Sequence, residues 1–142
     1  MSLDHTGLRF RVSRAARQVQ AQHERLRPIF ADLGLALSRD RGRQAQTEVF
    51  RLEGALQAHF MLEEQVVFPA LRGMQPEYAN ELQDLEQDHV RIRREIRLIV
   101  EQILDSDLAL AAKTLEACVT FLAQHERREQ LLLTALREDD AE

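Results

Sequence analysis

Residues 59–71 read HFMLEEQVVFPAL, and they decide the fold because they set two polar side chains on the apolar face of a helix. His59 and Glu63 are four residues apart, so they lie one turn apart on the same face. The remaining positions of this face are apolar: Ala45, Val49, Leu52, Leu56, Val66 and Ala70. Burying an imidazole or a carboxylate without a partner destabilises a fold by several kcal/mol. Both residues therefore need partners in the interior.

Three other segments carry the same anomaly, a polar residue on an otherwise apolar helical stripe. Residues 12–37 carry the stripe Val12, Ala16, Val19, His23, Leu26, Phe30, Leu33 and Leu37. Residues 76–104 carry the stripe Leu82, Leu85, His89, Ile92, Ile96, Ile99 and Ile103. Residues 108–137 carry the stripe Ala111, Leu115, Cys118, Leu122, His125, Glu129, Leu132 and Leu136. The pattern predicts four helices, with turns at residues 38–43, 73–76 and 105–107.

The composition is that of a single helical domain. The 142 residues are 44% hydrophobic and 30% charged, with five glycines, and a β-rich fold would need more glycine for its turns. The net charge of −5 argues against nucleic acid or an anionic membrane as a partner. The single cysteine, Cys118, fits a reducing compartment. Because the chain has no long apolar run and no signal peptide, we expect a soluble, cytoplasmic protein.

Four helices of similar length joined by short turns predict an all-α fold, an antiparallel up-down-up-down four-helix bundle. The bundle is expected to occupy residues 11–137, after an N-terminal arm at residues 1–10 and before an acidic tail at residues 138–142. The first turn is expected around Gly42, and Pro28 predicts a kink just past His23. A monomer and a homodimer are both compatible with this pattern.

The spacing of the histidines places them at one height in the bundle. In an antiparallel hairpin, two residues at the same height are equally far from the turn, so their mean position falls in the turn. The mean of 23 and 59 is 41, the mean of 59 and 89 is 74, and the mean of 89 and 125 is 107. All three means fall in turns that are placed on other grounds. The four histidines therefore share one layer.

The second and fourth helices run in the same direction, so Glu63 and Glu129 lie on the same side of this layer. Glu64 and Glu126 fall off the stripes and are expected at the surface. Six side chains thus converge on one interior volume: His23, His59, Glu63, His89, His125 and Glu129. Two divalent ions can each take two histidines and share both carboxylates, and imidazole with carboxylate suits iron, manganese or zinc. We expect the pKa of both glutamates to be low when metal is bound and to rise without it.

The segments that carry these residues resemble the hemerythrin-like, HHE cation-binding family. They are QHERL at residues 22–26, HFMLEEQVVFPAL at residues 59–71, DHVRIR at residues 88–93 and HERREQLLLTAL at residues 125–136. The resemblance implies a hemerythrin-like bundle that holds two iron ions in a non-haem di-iron centre, with or without an oxo or hydroxo bridge. It also implies that the four histidines are terminal ligands and that Glu63 and Glu129 bridge the ions.

The sequence departs from the oxygen-carrying hemerythrins in two ways. Those proteins have two histidines four apart on the third helix, whereas Leu85 and Arg93 flank His89 at that spacing. Their last carboxylate is an aspartate five residues after its histidine, where this chain has Gln130. The remaining histidine, His5, lies in the predicted arm, far from the site. The pattern is more similar to iron- and oxygen-sensing hemerythrin domains and to bacterial di-iron proteins of nitric-oxide and oxidative stress.

Three functions are open on these grounds. The first is a di-iron protein that senses or reacts with iron, O2, peroxide or NO in a stress response. The second is an enzyme that consumes peroxide or NO, or oxidises iron, with the same residues. The third is a metal-free helical interaction module in which the polar layer merely specifies the bundle.

Overall fold

The structure, a computed structural model, describes residues 2–140, and it describes the side chains of residue 7 and of residues 9–134. The described residues form helices and turns and no strand. The elements are α1 (Ser2–Ser38), α2 (Gly42–Leu62), a π-helical turn (Glu63–Val67), α3 (Phe68–Met74), a 3-10 turn (Pro76–Tyr78), α4 (Ala79–Leu104) and α5 (Leu108–Asp140). None of the described helices has an apolar stretch long enough to cross a bilayer.

The elements form four rods, because α2, the π-helical turn and α3 follow one another as a single rod. The first rod, α1, packs against α2 and α5, and α4 packs against the same two helices on the other side. Short connections join consecutive rods, so each rod runs antiparallel to the next. The predicted antiparallel four-helix bundle is confirmed.

Both chain ends differ from the expectation. Helix α1 begins at Ser2 rather than near Val12, so the segment expected as an arm is helical. Helix α5 continues to Asp140, into the segment expected as a frayed tail. A helix that is already nucleated adds one hydrogen bond for each residue it gains, so it can extend beyond the packed core without an apolar stripe. The side chain of His5 lies outside the described residues.

Residues other than glycine occupy the left-handed backbone positions of the first and last turns. Asp40 (φ 55°) and Ser106 (φ 61°) adopt the left-handed conformation in the first and last turns, and aspartate tolerates it better than most residues. Gly42, where the first turn was expected, instead begins α2. Helix α1 continues through Pro28, and the kink expected there stays a prediction.

A π-helical turn interrupts the second rod directly at Glu63. The backbone N–H of Phe68 donates to the carbonyl of Glu63, five residues back. Pro69 follows, and a proline ring clashes with the carbonyl four residues before it in a regular α-helix. The wider turn accommodates Pro69, and it shifts the apolar face by one residue. As a result Val67 is buried and Val66, which was predicted in the core, is exposed.

The rest of the predicted core is confirmed with two further shifts of one residue. Ile29 is buried in place of Phe30, and Leu133 is buried in place of Leu132. A straight helix turns once in about 3.6 residues, so a fixed alternation of four and three drifts against it. The side chain of Leu136 lies outside the described residues.

The six polar residues of the layer lie between two separate apolar clusters. The cluster toward the first and last turns includes Leu33, Leu52, Ile99 and Leu115. The other cluster packs Val12 to Val19 against α3 and the start of α4. The bundle core is therefore apolar at both ends and polar in the middle.

Candidate metal centre

The structure buries all six predicted ligands. His23 is 7% exposed and Glu129 is 2% exposed, and the other four side chains are at most 1% exposed. His23 projects from α1, His59 from α2, His89 from α4, and His125 and Glu129 from α5, while Glu63 opens the π-helical turn. All four rods thus contribute to one interior layer.

Glu63 occupies the middle of the layer. Its Oε1 lies 3.2 Å from Nε2 of His59 and 3.2 Å from Nε2 of His89. Glu63, His89 and His125 each offer one donor atom, and these three atoms lie within 4.8 Å of one another. One carboxylate therefore stands between histidines of two different rods.

The other ligands extend this group on both sides. Nε2 of His23 lies 2.9 Å from Nε2 of His59, and Nε2 of His125 lies 3.4 Å from Oε2 of Glu129. The ring centroids of His89 and His125 are 4.9 Å apart. The sequence-predicted residues are thus all brought together, with His23 at one edge of the group.

Several buried atoms of this layer have no hydrogen-bond partner among the described residues. They are both carboxylate oxygens of Glu63, Oε2 of Glu129, and Nε2 of His89 and of His125. Buried polar groups in proteins are almost always satisfied, and each unsatisfied group destabilises the fold. A cation among them would satisfy these oxygens and ring nitrogens together, so the residues fit a bound metal.

The environment keeps two of the imidazoles neutral. Burial lowers the pKa of His59 to about 3, with the neighbouring His23 as the second cause. Burial also lowers the pKa of His89 to about 4, although Glu64 opposes that shift. A neutral imidazole keeps a lone pair free for a metal ion, so these rings need not lose a proton before they bind one.

The two buried glutamates shift in opposite directions. Burial, and then the nearby carboxyl of Glu129, raise the pKa of Glu63. Burial also acts to raise the pKa of Glu129, but the neighbouring Glu63 and His125 outweigh it and lower this pKa to about 2. Without metal the pKa of Glu63 is therefore raised above its usual value and that of Glu129 is lowered, and the expected change on metal binding stays a prediction. Two carboxyls so close share one negative charge, and the imidazole of His125 favours Glu129 as its holder.

Three of the four histidines are oriented through their second ring nitrogen by a side chain of a neighbouring rod. Nδ1 of His59 donates to Oε1 of Gln22 at 2.8 Å, and Nδ1 of His89 donates to Oε2 of Glu64 at 2.6 Å. Nδ1 of His125 donates to Oδ2 of Asp88 at 3.0 Å. This bond keeps the proton on Nδ1 and orients the ring so that the unprotonated Nε2 faces the centre of the layer. The arrangement is usual for metal-binding histidines.

Arginines hold two of these orienting carboxylates in turn. Arg93 donates to Glu64 at 3.1 Å, and Arg128 pairs with Asp88. Arg93 and His89 lower the pKa of Glu64 against the opposing effect of its burial, so this side chain is anionic at neutral pH. The expectation that Glu64 lies at the surface is only partly right, because it is half-buried between His89 and Arg93.

The orienting roles of Gln22, Glu64 and Asp88 were not predicted from the sequence. Gln22 and Asp88 each precede a predicted ligand, His23 and His89. In these two cases the position lies beside the stripe and faces the adjacent rod, so an acceptor directly before a stripe histidine is a signal for them. The signal is not sufficient, because Gln124 precedes His125 and is exposed.

Replacing Asp88 by asparagine is expected to weaken metal binding by roughly 10- to 100-fold, as is typical when the orienting partner of a metal-binding histidine is lost. The amide oxygen of asparagine is a weaker hydrogen-bond acceptor for the Nδ1–H of His125 than the carboxylate is. A competitive titration against a chromophoric chelator measures the loss. Asp84→Asn is the matched control, since Asp84 is exposed one turn away on the same helix. Equal affinity in both variants would mean that Asp88 does not support the metal.

Comparison with known families agrees with this geometry. A family model described as the hemerythrin HHE cation binding domain matches residues 14–136, which is most of the chain. No curated protein and no solved structure matches the chain significantly. The matched range contains all six residues of the layer. The chain therefore belongs to the hemerythrin HHE cation-binding domain family.

Proposed function

We propose that this protein binds two iron ions in a dinuclear non-haem centre and uses them to sense or react with O2, peroxide or NO. One observation carries the proposal: six buried donor side chains from four rods converge on one layer and leave several donor atoms unsatisfied. A metal-free interaction module would gain nothing from such unsatisfied atoms, because they destabilise it.

The division of the ligands supports two ions rather than one. His23 and His59 form one pair of rings, with centroids 4.5 Å apart, and His89 and His125 form a second pair. Glu63 lies between the pairs, since its Oε1 is equally near His59 and His89. A carboxylate in that position suits a bridging role, with Glu129 as the second bridge.

Iron supplies redox chemistry and Lewis acidity to such a site when it is bound. The protein surrounds the six donor side chains with aromatic and aliphatic residues. The ring of Phe60 stacks on His89 at a centroid distance of 3.9 Å, and Phe68 stacks on the same imidazole at 5.6 Å. Apolar clusters close the layer at both ends. The donors are therefore screened from bulk water, and six side chains would leave room for a small molecule to bind beside two ions.

Metal analysis tests the proposal directly. Protein purified without added iron, and then loaded anaerobically, is expected to hold two iron ions per chain by elemental analysis. The same measurement on Glu63→Ala is expected to give fewer than one. Protein that takes up no iron beyond the background of this variant would contradict the proposal and leave the metal-free module as the explanation.

The reaction with oxidant separates sensing from catalysis. Iron-loaded protein is mixed with an excess of H2O2 or NO and with an excess of an electron donor such as ascorbate, and consumption above that of the metal-free protein with the same donor is followed together with visible absorption. Repeated turnover that Glu63→Ala abolishes would identify an enzyme. A single stoichiometric reaction, followed by a stable change in absorption, would identify a sensor.

A further inference from the structure

We propose that small anions and their conjugate acids reach the centre through the groove between α1 and α5, and that the carboxylate of Glu126 beside His23 favours the protonated forms over the bare anions. This inference rests on the proposed function, since it concerns the ligands of the same centre. It adds the side of the bundle that opens to them and the charges that select them.

The groove lies along the edge of the layer where His23 is found. It has a volume of about 480 Å³. The residues of its wall that bear on the argument are His23, Arg27, Ala123, Glu126, Arg127 and Gln130. A predicted ligand thus forms part of the wall of a surface groove, which connects the centre to solvent.

The other sides of the layer are better closed. His23 is 7% exposed, whereas His59 is 1% exposed and His89 and His125 are fully buried. The groove between α2 and α4, with a volume of about 350 Å³, reaches Phe60 and no ligand histidine. Because Phe60 stacks on His89, its ring separates that groove from the centre. Of these two grooves, the α1–α5 groove is therefore the one that reaches a predicted ligand.

His23 also differs from the other three ligands in its support. Each of the others is held at Nδ1 by a neighbouring side chain. In the described part of the chain, the contacts of the His23 ring are made by Nε2, to His59 and toward Glu126. A ring held from one side only can move aside more easily than a ring held from both, which suits it to the open edge of the centre.

Glu126 stands at the inner end of the groove. Its Oε1 lies 3.7 Å from Nε2 of His23, and its side chain is 29% exposed. The expectation that Glu126 is a surface residue is therefore wrong in part, because its carboxylate turns toward a ligand. Its oxygens can accept a hydrogen bond from a protonated ligand such as hydrogen peroxide, and they repel a bare anion at the same place.

The mouth of the groove is cationic. Arg27 and Arg127 are exposed and lie in its wall, and Glu126 is the one carboxylate among the described residues of that wall. Two positive charges against one negative charge attract small anions, and this attraction weakens with salt. The groove thus suits a ligand that arrives as an anion, or as its conjugate acid, better than a cation.

Azide, a small anion, is the probe for this route. Its association rate with the iron-loaded protein is measured by stopped-flow absorption for the wild type, Ala123→Phe, Ala117→Phe and Glu126→Gln, with iron content and helicity measured for each. Ala123 is exposed in the α1–α5 groove, so phenylalanine there fills the route without entering the core. Ala117 is the matched control, because it is exposed on the same helix in a groove that contains no ligand.

We expect Ala123→Phe to slow azide association at least tenfold and Ala117→Phe to match the wild type. Glu126→Gln should accelerate it several-fold at low salt and less at high salt, because the groove loses its one negative charge. Equal rates in all four iron-loaded proteins would overturn the route, and so would slower association in Glu126→Gln. A wild type that holds no iron would instead overturn the proposed function, so the two failures are distinguishable.

Discussion

Loading with iron is expected to raise the Tm of this protein by roughly 15 °C. A ligand that binds only the folded state at about 1,000 times its Kd stabilises that state by about 4 kcal/mol. For a domain of this size about 1 kcal/mol corresponds to roughly 4 °C. The physical source is the layer itself, because the metal satisfies buried oxygens and nitrogens that are otherwise left without partners. Calorimetry of the chelator-treated and the iron-loaded protein measures the shift.

Two variants show whether this shift comes from the layer. Glu129→Gln removes a buried ligand and should lose most of the stabilisation by iron. Glu24→Gln alters an exposed carboxylate next to His23 and should keep it. If the wild type had the same Tm with and without iron, the metal would not be part of the folded state.

The fold and the convergence of the six polar side chains were predictable because two kinds of pattern agree. A histidine on an apolar stripe is costly to bury, so its position on the stripe carries information about function. The means of successive histidine positions then place the four rings at one height only if the rods are antiparallel. The structure confirms this, since the means 41 and 107 fall between helices and the mean 74 falls on Met74, where α3 ends.

The details that the sequence did not predict depend on local backbone geometry or on contacts between rods. The burial of Val67 in place of Val66 depends on the π-helical turn. The hydrogen bond from the backbone N–H of Phe68 to the carbonyl of Glu63, which forms this turn, cannot be predicted from a heptad pattern. The roles of Gln22 and Asp88 depend on the rotation of each rod relative to its neighbour. A stripe of apolar residues fixes that rotation only to within about one residue, whereas a hydrogen bond at Nδ1 needs finer placement.

Replacing Glu63 by methionine is expected to have opposite effects on the metal-free and the iron-loaded protein. In the metal-free protein it should increase the free energy of unfolding by about 2 kcal/mol, or raise Tm by roughly 8 °C, because an apolar side chain of similar volume replaces a fully buried acid whose oxygens make no hydrogen bond of good geometry with the described residues. The raised pKa of Glu63 has the same origin, since burial disfavours its charge. The same change removes the central carboxylate, so the stabilisation by iron should disappear.

Urea denaturation with and without iron measures both effects, and Glu101→Met provides the control because Glu101 is exposed on α4. The control should change neither the stability of the metal-free protein nor the gain from iron by more than about 0.5 kcal/mol. A metal-free Glu63→Met protein that is less stable than the wild type would mean that Glu63 supports the fold by itself. A buried carboxylate that is placed to bind a cation should destabilise the fold when the cation is absent, and the sign of the change in stability in Glu63→Met measures this effect.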